Sequence, residues 1–435
     1  MSRTVILAAA ISLALAACSG KESTPVSDAQ TPAAQQPADA STNPLLSAST
    51  LPFQAPPFDR IKDSDYLPAF NEGMKQHLAE VRKIADNAEP ATFDNTIEAL
   101  ERSGETLDRV SRVFFGLVQA DTNEARQKIQ EEVAPKLAEH QDEISLDPKL
   151  FARIKTLYDQ RASLGLDPVQ TRLVERDYQE FVRAGAQLND ADKAALRKLN
   201  VEETTLATQF HTRLVAATAA AAVVVDDKAN LAGLSEDEIN TAAADAKARN
   251  LEGKFLLPLQ NTTQQPVLAS LSNREQRAAV LKASETRAER GDGNDTRETV
   301  QRLAQLRAQK AKLLGFENYA AYSLADQMAK TPAAALKLLT DTVPAATNKA
   351  RGEITEMQKV IDAQKGGFQL AASDWDFYAE QVRKAQYDLD ESQIKPYFEL
   401  DNVLQNGVFY AATQLYGITF KPRTDIPTYH ADMKV

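Results

Sequence analysis

The chain has a single cysteine, Cys18, so no disulfide can close within it. Histidine is almost as scarce: His77, His140, His211 and His430 are the whole set, and no two stand one helical turn apart. That spacing excludes H-E-x-x-H, the most compact way for a helix to offer two imidazoles to a zinc ion. There is no G-x-S-x-G elbow for an activated serine and no glycine-rich loop to cradle a phosphate. An excess of positive charge is missing too. The 50 Lys and Arg against 61 Asp and Glu leave −11 at pH 7, the wrong sign for holding nucleic acid by counterion release. What is present is a composition 43% hydrophobic and 26% charged over 435 residues, enough for two or three domains with large buried cores.

The N-terminus reads as a targeting segment. Arg3 supplies a positive start, and Val5 to Ala17 is apolar except for Ser12, too short to cross a hydrocarbon layer that needs roughly 20 residues. Residues 1–17 are therefore expected to be a removable signal peptide. The run Leu15-Ala16-Ala17-Cys18-Ser19-Gly20 resembles the lipobox of bacterial lipoproteins. That resemblance implies lipid attachment at Cys18, a membrane anchor there, and, with Ser19 following, an outer-membrane protein with its body in the periplasm. Residues 18–56 are rich in Ser, Thr, Ala, Gln and Pro and poor in apolar groups, so they read as a flexible tether.

The body, residues 57–435, is written mainly in helical periods. Leu67, Phe70, Met74, His77, Leu78, Val81 and Ile84 recur at threes and fours behind Pro68, which is read as a first-turn residue. A second helix is expected from Asp295, with Glu298 as capping-box partner, through Val300, Leu303, Leu306 and Leu313 to Gly315. A third opens at Ser373-Asp374-Trp375-Asp376, places Trp375, Tyr378 and Val382 on one face, and pairs Glu380 with Lys384. The apolar run Leu214 to Val225 reads as a buried helix passing into a strand. Further strand signal lies in Lys254 to Leu268 and from Tyr416 onward. The expected class is mainly α with small β elements, and no repeat of fixed period is present.

No group of residues in this pattern announces catalysis. His77 shares an apolar stripe and reads as a satisfied core histidine; His140 and His211 sit amid charged helical sequence and read as solvated; His430 stays ambiguous. Gly291 to Thr296, "GDGNDT", lacks the spaced ligands and terminal Glu of a calcium loop and reads as a helix stop followed by a new cap. Asn261-Thr262-Thr263 matches a glycosylation sequon and is discounted beside a lipobox. Asp374, Asp376, Glu380, Asp388, Asp390 and Glu391 form an acidic segment that reads as solvated faces and caps.

Four stretches carry a wider resemblance: "PPFDRIKDSDYLPAF" (56–70), "TFDNTIEALERSG" (92–104), "NDTRETVQRLAQLRAQKAKLLGFENYAAYSLADQMAKTP" (294–332) and "DWDFYAEQVRKAQYDLDESQIKPYFELDNVLQNGVF" (374–409). In this order they resemble the peptidyl-dipeptidase branch of the thimet-oligopeptidase-like (M3) zinc metallopeptidases. The resemblance implies a prolate, two-lobed helical fold with a small β element and a deep channel. It also implies removal of C-terminal dipeptides from oligopeptides by one zinc ion. The family's zinc ligands, the two His of H-E-x-x-H and a later Glu, map onto no residue here, so neither catalytic nor metal residues are expected in this chain and no zinc is expected to be held by it. The tail "GITFKPRTDIPTYHADMKV" resembles the family's entry into a small sheet. The expectation is thus an N-terminal fragment, inactive alone, cut at Val435 with an edge and half a core exposed. The alternative is a non-catalytic peptide-binding envelope lipoprotein. A purely structural helical lipoprotein is disfavoured, since long heptad runs are absent.

Overall fold

A computed structural model describes residues 43–387 and 391–435, apart from the side chains of residues 261–263, 265, 391 and 392. The signal segment, Cys18 and residues 19–42 of the tether lie outside the described residues, as do Asp388 and Asp390.

The described chain is mainly helical. In order it forms α1 (Asp63–Ala85), a π-helical turn (Phe93–Glu98) running into α2 (Ala99–Arg102), α3 (Glu105–Ala120), α4 (Glu124–Ser145), α5 (Pro148–Gln160), α6 (Pro168–Arg183) and α7 (Asp190–Ala220). Strand β1 (Val223–Val225), α8 (Glu236–Ala248), β2 (Phe255–Leu257), α9 (Asn261–Ser270), α10 (Arg274–Thr286), α11 (Arg297–Leu313) and α12 (Tyr319–Leu324) follow. The long α13 (Pro332–Ala363), α14 (Trp375–Tyr387), α15 (Glu391–Ile394), α16 (Leu400–Asn402), a second π-helical stretch (Val403–Phe409) and α17 (Tyr410–Tyr416) complete it. The starts are set by local chemistry. Asp147, Asp167, Asn189 and Thr331 each accept a hydrogen bond from a first-turn amide with their side chains, and three of the four precede a proline whose missing N–H costs nothing there.

Four apolar clusters hold these elements. The first lies between α1, α3 and α4, around Tyr66, Phe70, Val110, Phe114 and Leu137; Phe114 is 0% exposed and meets Phe70 edge-on at 5.3 Å. The second joins the C-terminal half of α1 to α5 and α6 through Ile84, Ile97, Leu150, Ile154 and Val174. The third gathers α8, α9, α10 and the two strands, which pair antiparallel with Val223 opposite Leu257 and Val225 opposite Phe255. The fourth is small, Met357 and Ile361 of α13 against Tyr378 of α14. A glycine is required at position 233: its φ is +98°, and a Cβ there would stand 2.1 Å from the Ser270 carbonyl oxygen, beside the Ser272 amide that donates to Ala232 at 2.7 Å.

The mainly α class with one small β element therefore holds, and several local expectations are revised. The body begins by Asn43, because Leu45, read as part of the tether, is 2% exposed in the first cluster and Asn43 donates its side-chain amide to the Asp65 carbonyl. Pro68 sits inside α1, which starts five residues earlier once Asp65 accepts the Lys62 amide hydrogen. The helix from Asp295 starts at Arg297 without a capping box, since Asp295 is held by the preceding turn through Gly291 and caps the Arg297 amide. Val300 there is exposed. Glu380 pairs with Arg383 at 2.6 Å, one residue short of the expected Lys384. Leu214 to Ala220 is helical as expected, yet of the 214–220 stretch only Ala217 is buried. Lys254 to Leu268 is strand for three residues and then helix. Among the described residues no strand lies beyond Tyr416. The tail instead turns back, donating from Arg423 N–H to the Val435 carbonyl and setting Tyr429 edge-on to Phe58.

Candidate functional site

With so few histidines, their placement decides what acid-base or metal chemistry the chain could hold. His77 of α1 and His140 of α4 come together: His77 Nδ1 lies 2.9 Å from His140 Nε2. The other nitrogen of His77, Nε2, lies 3.2 Å from Ser103 Oγ in the turn between α2 and α3, and that hydroxyl donates to the Leu100 carbonyl at 2.6 Å. Gly104 at φ +76° makes room, for a Cβ there would meet the His77 ring at 2.9 Å. Its amide donates to Glu80 Oε2 at 2.7 Å, which ties the turn to α1. Burial holds the His77 imidazole below its ordinary value against the pull of Glu80. Burial, and then the His77 ring, push His140 down to about 4.

His140, expected among solvated groups from its charged neighbours, is buried. The signal was present, since it falls on the stripe of Val133, Leu137 and Ile144, but its charged neighbours in sequence obscured it. His77 is half-buried and hydrogen-bonded, close to the reading of a satisfied core histidine. His211 is exposed; His430 is exposed beside Asp432. The paired rings do not suit zinc. Two imidazole nitrogens on one tetrahedral zinc stand about 3.3 Å apart, given bonds of roughly 2.0–2.1 Å, wider than this hydrogen bond. Among the described residues no three His, Cys, Asp or Glu side chains converge as a metal site needs.

The acidic segment is partly structural. Asp374, read as solvated, is 0% exposed, and its oxygens accept from Arg274 at 2.9 Å and Arg277 at 2.8 Å. Burial pushes its carboxyl up, and the hydrogen bonds from the two guanidiniums outweigh it and hold the group below the usual range. Arg274 and Arg277 also lie over the rings of Phe368 and Phe377, so the cluster clamps the α13–α14 hairpin to α10. Asp376 is pushed up by burial alone.

A different carboxyl, missed in the sequence, is the most perturbed. Asp177 of α6 is 6% exposed, its Oδ2 has no hydrogen-bond partner, and burial, then Glu101 and Glu180, push it up to about 8. Arg176 is committed to Glu180 at 2.6 Å. A protonated Asp177 is the physical consequence at neutral pH. The folded-state value lies above the ordinary 3.8, so stability from this group is complete below about pH 4 and is lost as pH rises through about 8. Asp177→Asn should accordingly be near neutral at pH 4–5 and stabilising by ~1–3 kcal/mol at pH 9. Urea midpoints at the two pH values check this; an equal midpoint difference at both would refute it.

Concave surface is modest. A groove of about 310 Å³ runs beside α3, lined by Phe58, Arg112, Val113, Gly116, Leu117 and Tyr429, and offers no acid-base pair. Another of about 260 Å³ is bordered by Glu80, Lys83, Ala99, Arg102 and Ser103, next to the histidine pair.

Comparison with known proteins supplies what the geometry does not. The profile of Peptidase family M3 matches residues 267–435, from within α9 to the tail. Over 393 residues, 90% of the chain, the sequence is 52% identical to the dipeptidyl carboxypeptidase of Escherichia coli K12. It is also 52% identical over 395 residues to the dipeptidyl carboxypeptidase of Salmonella typhimurium, and 28% identical over 397 residues to oligopeptidase A of Escherichia coli. The chain spans 58% of the length of each of these three curated relatives. Through these matches the chain is similar over nine-tenths of its length to the dipeptidyl carboxypeptidases, and its residues 267–435 match the profile of Peptidase family M3.

Proposed function

We propose that this chain is the N-terminal, non-zinc-binding part of a metallopeptidase that releases C-terminal dipeptides from oligopeptides. The observation that carries this is the 52% identity to two dipeptidyl carboxypeptidases over nine-tenths of the chain. The 435 residues contain no H-E-x-x-H and span 58% of those relatives' length, so on this reading the zinc ligands and the water-activating Glu would come from other sequence. When bound, zinc would polarise the scissile carbonyl and make its water a better nucleophile. The residues present would do other work: rigid helices walling a channel that admits unfolded peptides and excludes folded ones.

Apolar surface agrees with a missing neighbour. Leu338, Leu339, Tyr397, Phe398, Leu400 and Tyr416, in α13 and between α15 and α17, are all more than 60% exposed. Large exposed apolar groups in this number mark a face built to be covered.

The anchoring belongs to the same proposal. Lipid at Cys18 would hold the body at the outer membrane, on its periplasmic side, where short peptides would be its substrates. Cys18→Ser should then move the protein from the membrane fraction to the soluble fraction.

The decisive experiment compares the 435-residue chain with the product of the reading frame continued past the Val435 codon, assaying C-terminal dipeptide release from N-blocked tetrapeptides. The longer product should cleave and lose activity to a chelator, with zinc restoring it; the 435-residue chain should release nothing. If the frame stops there, the lack of H-E-x-x-H favours a peptide-binding lipoprotein instead. That reading requires oligopeptides to bind without being cut.

A further inference from the structure

The His77–His140 contact has a direction that the surrounding hydrogen bonds impose. Ser103 spends its only hydrogen on the Leu100 carbonyl, so toward His77 Nε2 it can act only as acceptor, and His77 must carry its hydrogen on Nε2. A neutral His77 then presents a lone pair at Nδ1, and His140 must donate to it from Nε2. What remains is the His140 Nδ1 lone pair, buried and without a partner. The chain of donors runs from α4 to α1 to the 100–103 turn, and it is complete only while both rings are neutral.

An added proton has no good place to go. On His140 it must sit at Nδ1, where no acceptor exists. On His77 it must sit at Nδ1, which turns the 2.9 Å contact into two facing hydrogens unless His140 shifts its own to Nδ1. Both routes end with an unpartnered donor at the same buried atom and a net charge beside it. We propose that the His77–His140 pair is an acid-sensitive latch, holding α1 against α4 and the 100–104 turn while neutral and releasing them when the pair takes up one proton.

The surrounding charges do not rescue the protonated form. From α1, Glu80 faces His77 but is engaged by the Gly104 amide, and Lys83 borders the same groove. From α4, Lys136 is held by Glu132 and Glu143 lies 3.9 Å from Arg82, both exposed pairs. From α2, Arg102 is held by Glu98. The turn itself contributes only Ser103 and Gly104, and α5 and α7 contribute no charge that shifts either ring. The groove beside Glu80 and Ser103 gives solvent protons a way in.

The direction with pH follows from the ordinary imidazole value of 6.5 and the lowered folded values. The latch is intact above about pH 6.5, and its contribution is lost as pH falls from there toward about 4. Backbone hydrogen exchange on the whole 435-residue chain at pH 7 and pH 5, corrected for intrinsic chemistry, reads it. Residues 63–85 and 124–145 should exchange at least about tenfold faster at pH 5, while 261–286, around the Arg277 clamp, should not change. His140→Gln keeps a donor toward His77 without a titrating ring, so the tenfold change should vanish; His211→Gln, on an exposed ring, should leave it in place. Equal exchange in the unsubstituted chain at both pH values would overturn the proposal, and so would a change in His140→Gln as large as in the parent.

Discussion

Asp374→Ala is expected to cost about 3–5 kcal/mol, because it strands a guanidinium rather than merely deleting a contact. Arg277 is 1% exposed, and its other hydrogen bonds go to the carbonyls of Leu271, Ser272 and Ser373. Those neutral acceptors solvate the cation but do not neutralise it. Without Asp374 the charge either stays buried unpaired or drags α10 toward water, and the α13–α14 hairpin loses its attachment in both cases. The partner Arg274 is partly exposed and can return to solvent, so Arg274→Ala should cost much less, ~1 kcal/mol. Denaturant titration of both variants tests the asymmetry. Equal losses would mean that the clamp is a surface pair in energetic terms. Because the carboxyl is held below its usual range, its contribution is present above about pH 3.8 and is lost as pH falls further, so the cost of Asp374→Ala should shrink in strong acid.

Phe114→Ala should cost about as much, ~3–5 kcal/mol, for a different reason. Its ring is fully buried between three others, at 5.0 Å from Tyr66, 5.3 Å from Phe70 and 5.2 Å from Phe115, all in edge-on arrangements. Removing it loses the transfer free energy of the ring, opens a cavity among rigid neighbours and ends those edge-to-face contacts. The neighbours come from α1 and α3, so the damage should spread across the first cluster rather than stay on one helix. Phe114→Leu, which refills part of the space, should recover at least about half of the loss. Thermal unfolding with calorimetric enthalpy measures both. A loss under ~1 kcal/mol for the alanine variant would mean that the cluster collapses freely around the gap.

The two predictions fall on different sides of what could be read in advance. Phe114 follows from periodicity, since Leu107, Val110, Val113, Phe114 and Leu117 repeat at threes and fours within one segment. Asp374 does not. In sequence it opens an acidic stretch, and nothing local says that two arginines one hundred residues earlier will surround it. The same applies to His140, whose partner lies 63 residues away, and to Asp177, whose lack of a partner emerges only when α6 packs on the turn before α2. Leu45 shows the converse: a Ser- and Pro-rich neighbourhood spoke for a tether, yet Leu45 is buried in the first cluster and Asn43 donates to the Asp65 carbonyl.

By itself the sequence determined the helical class, the local chemistry of the helix caps and the resemblance to M3 peptidases. Those depend on interactions spanning a few residues: a cap side chain reaching an amide two or three positions on, a proline fixing its own φ, an apolar repeat matching the helical turn, and motif segments in their order. Tertiary structure alone decided which polar groups lost their water. The pairing of His77 with His140, the enclosure of Asp374 by two guanidiniums and the isolation of Asp177 arise between segments tens of residues apart. Their energies depend on desolvation, which exists only once the helices have closed around them.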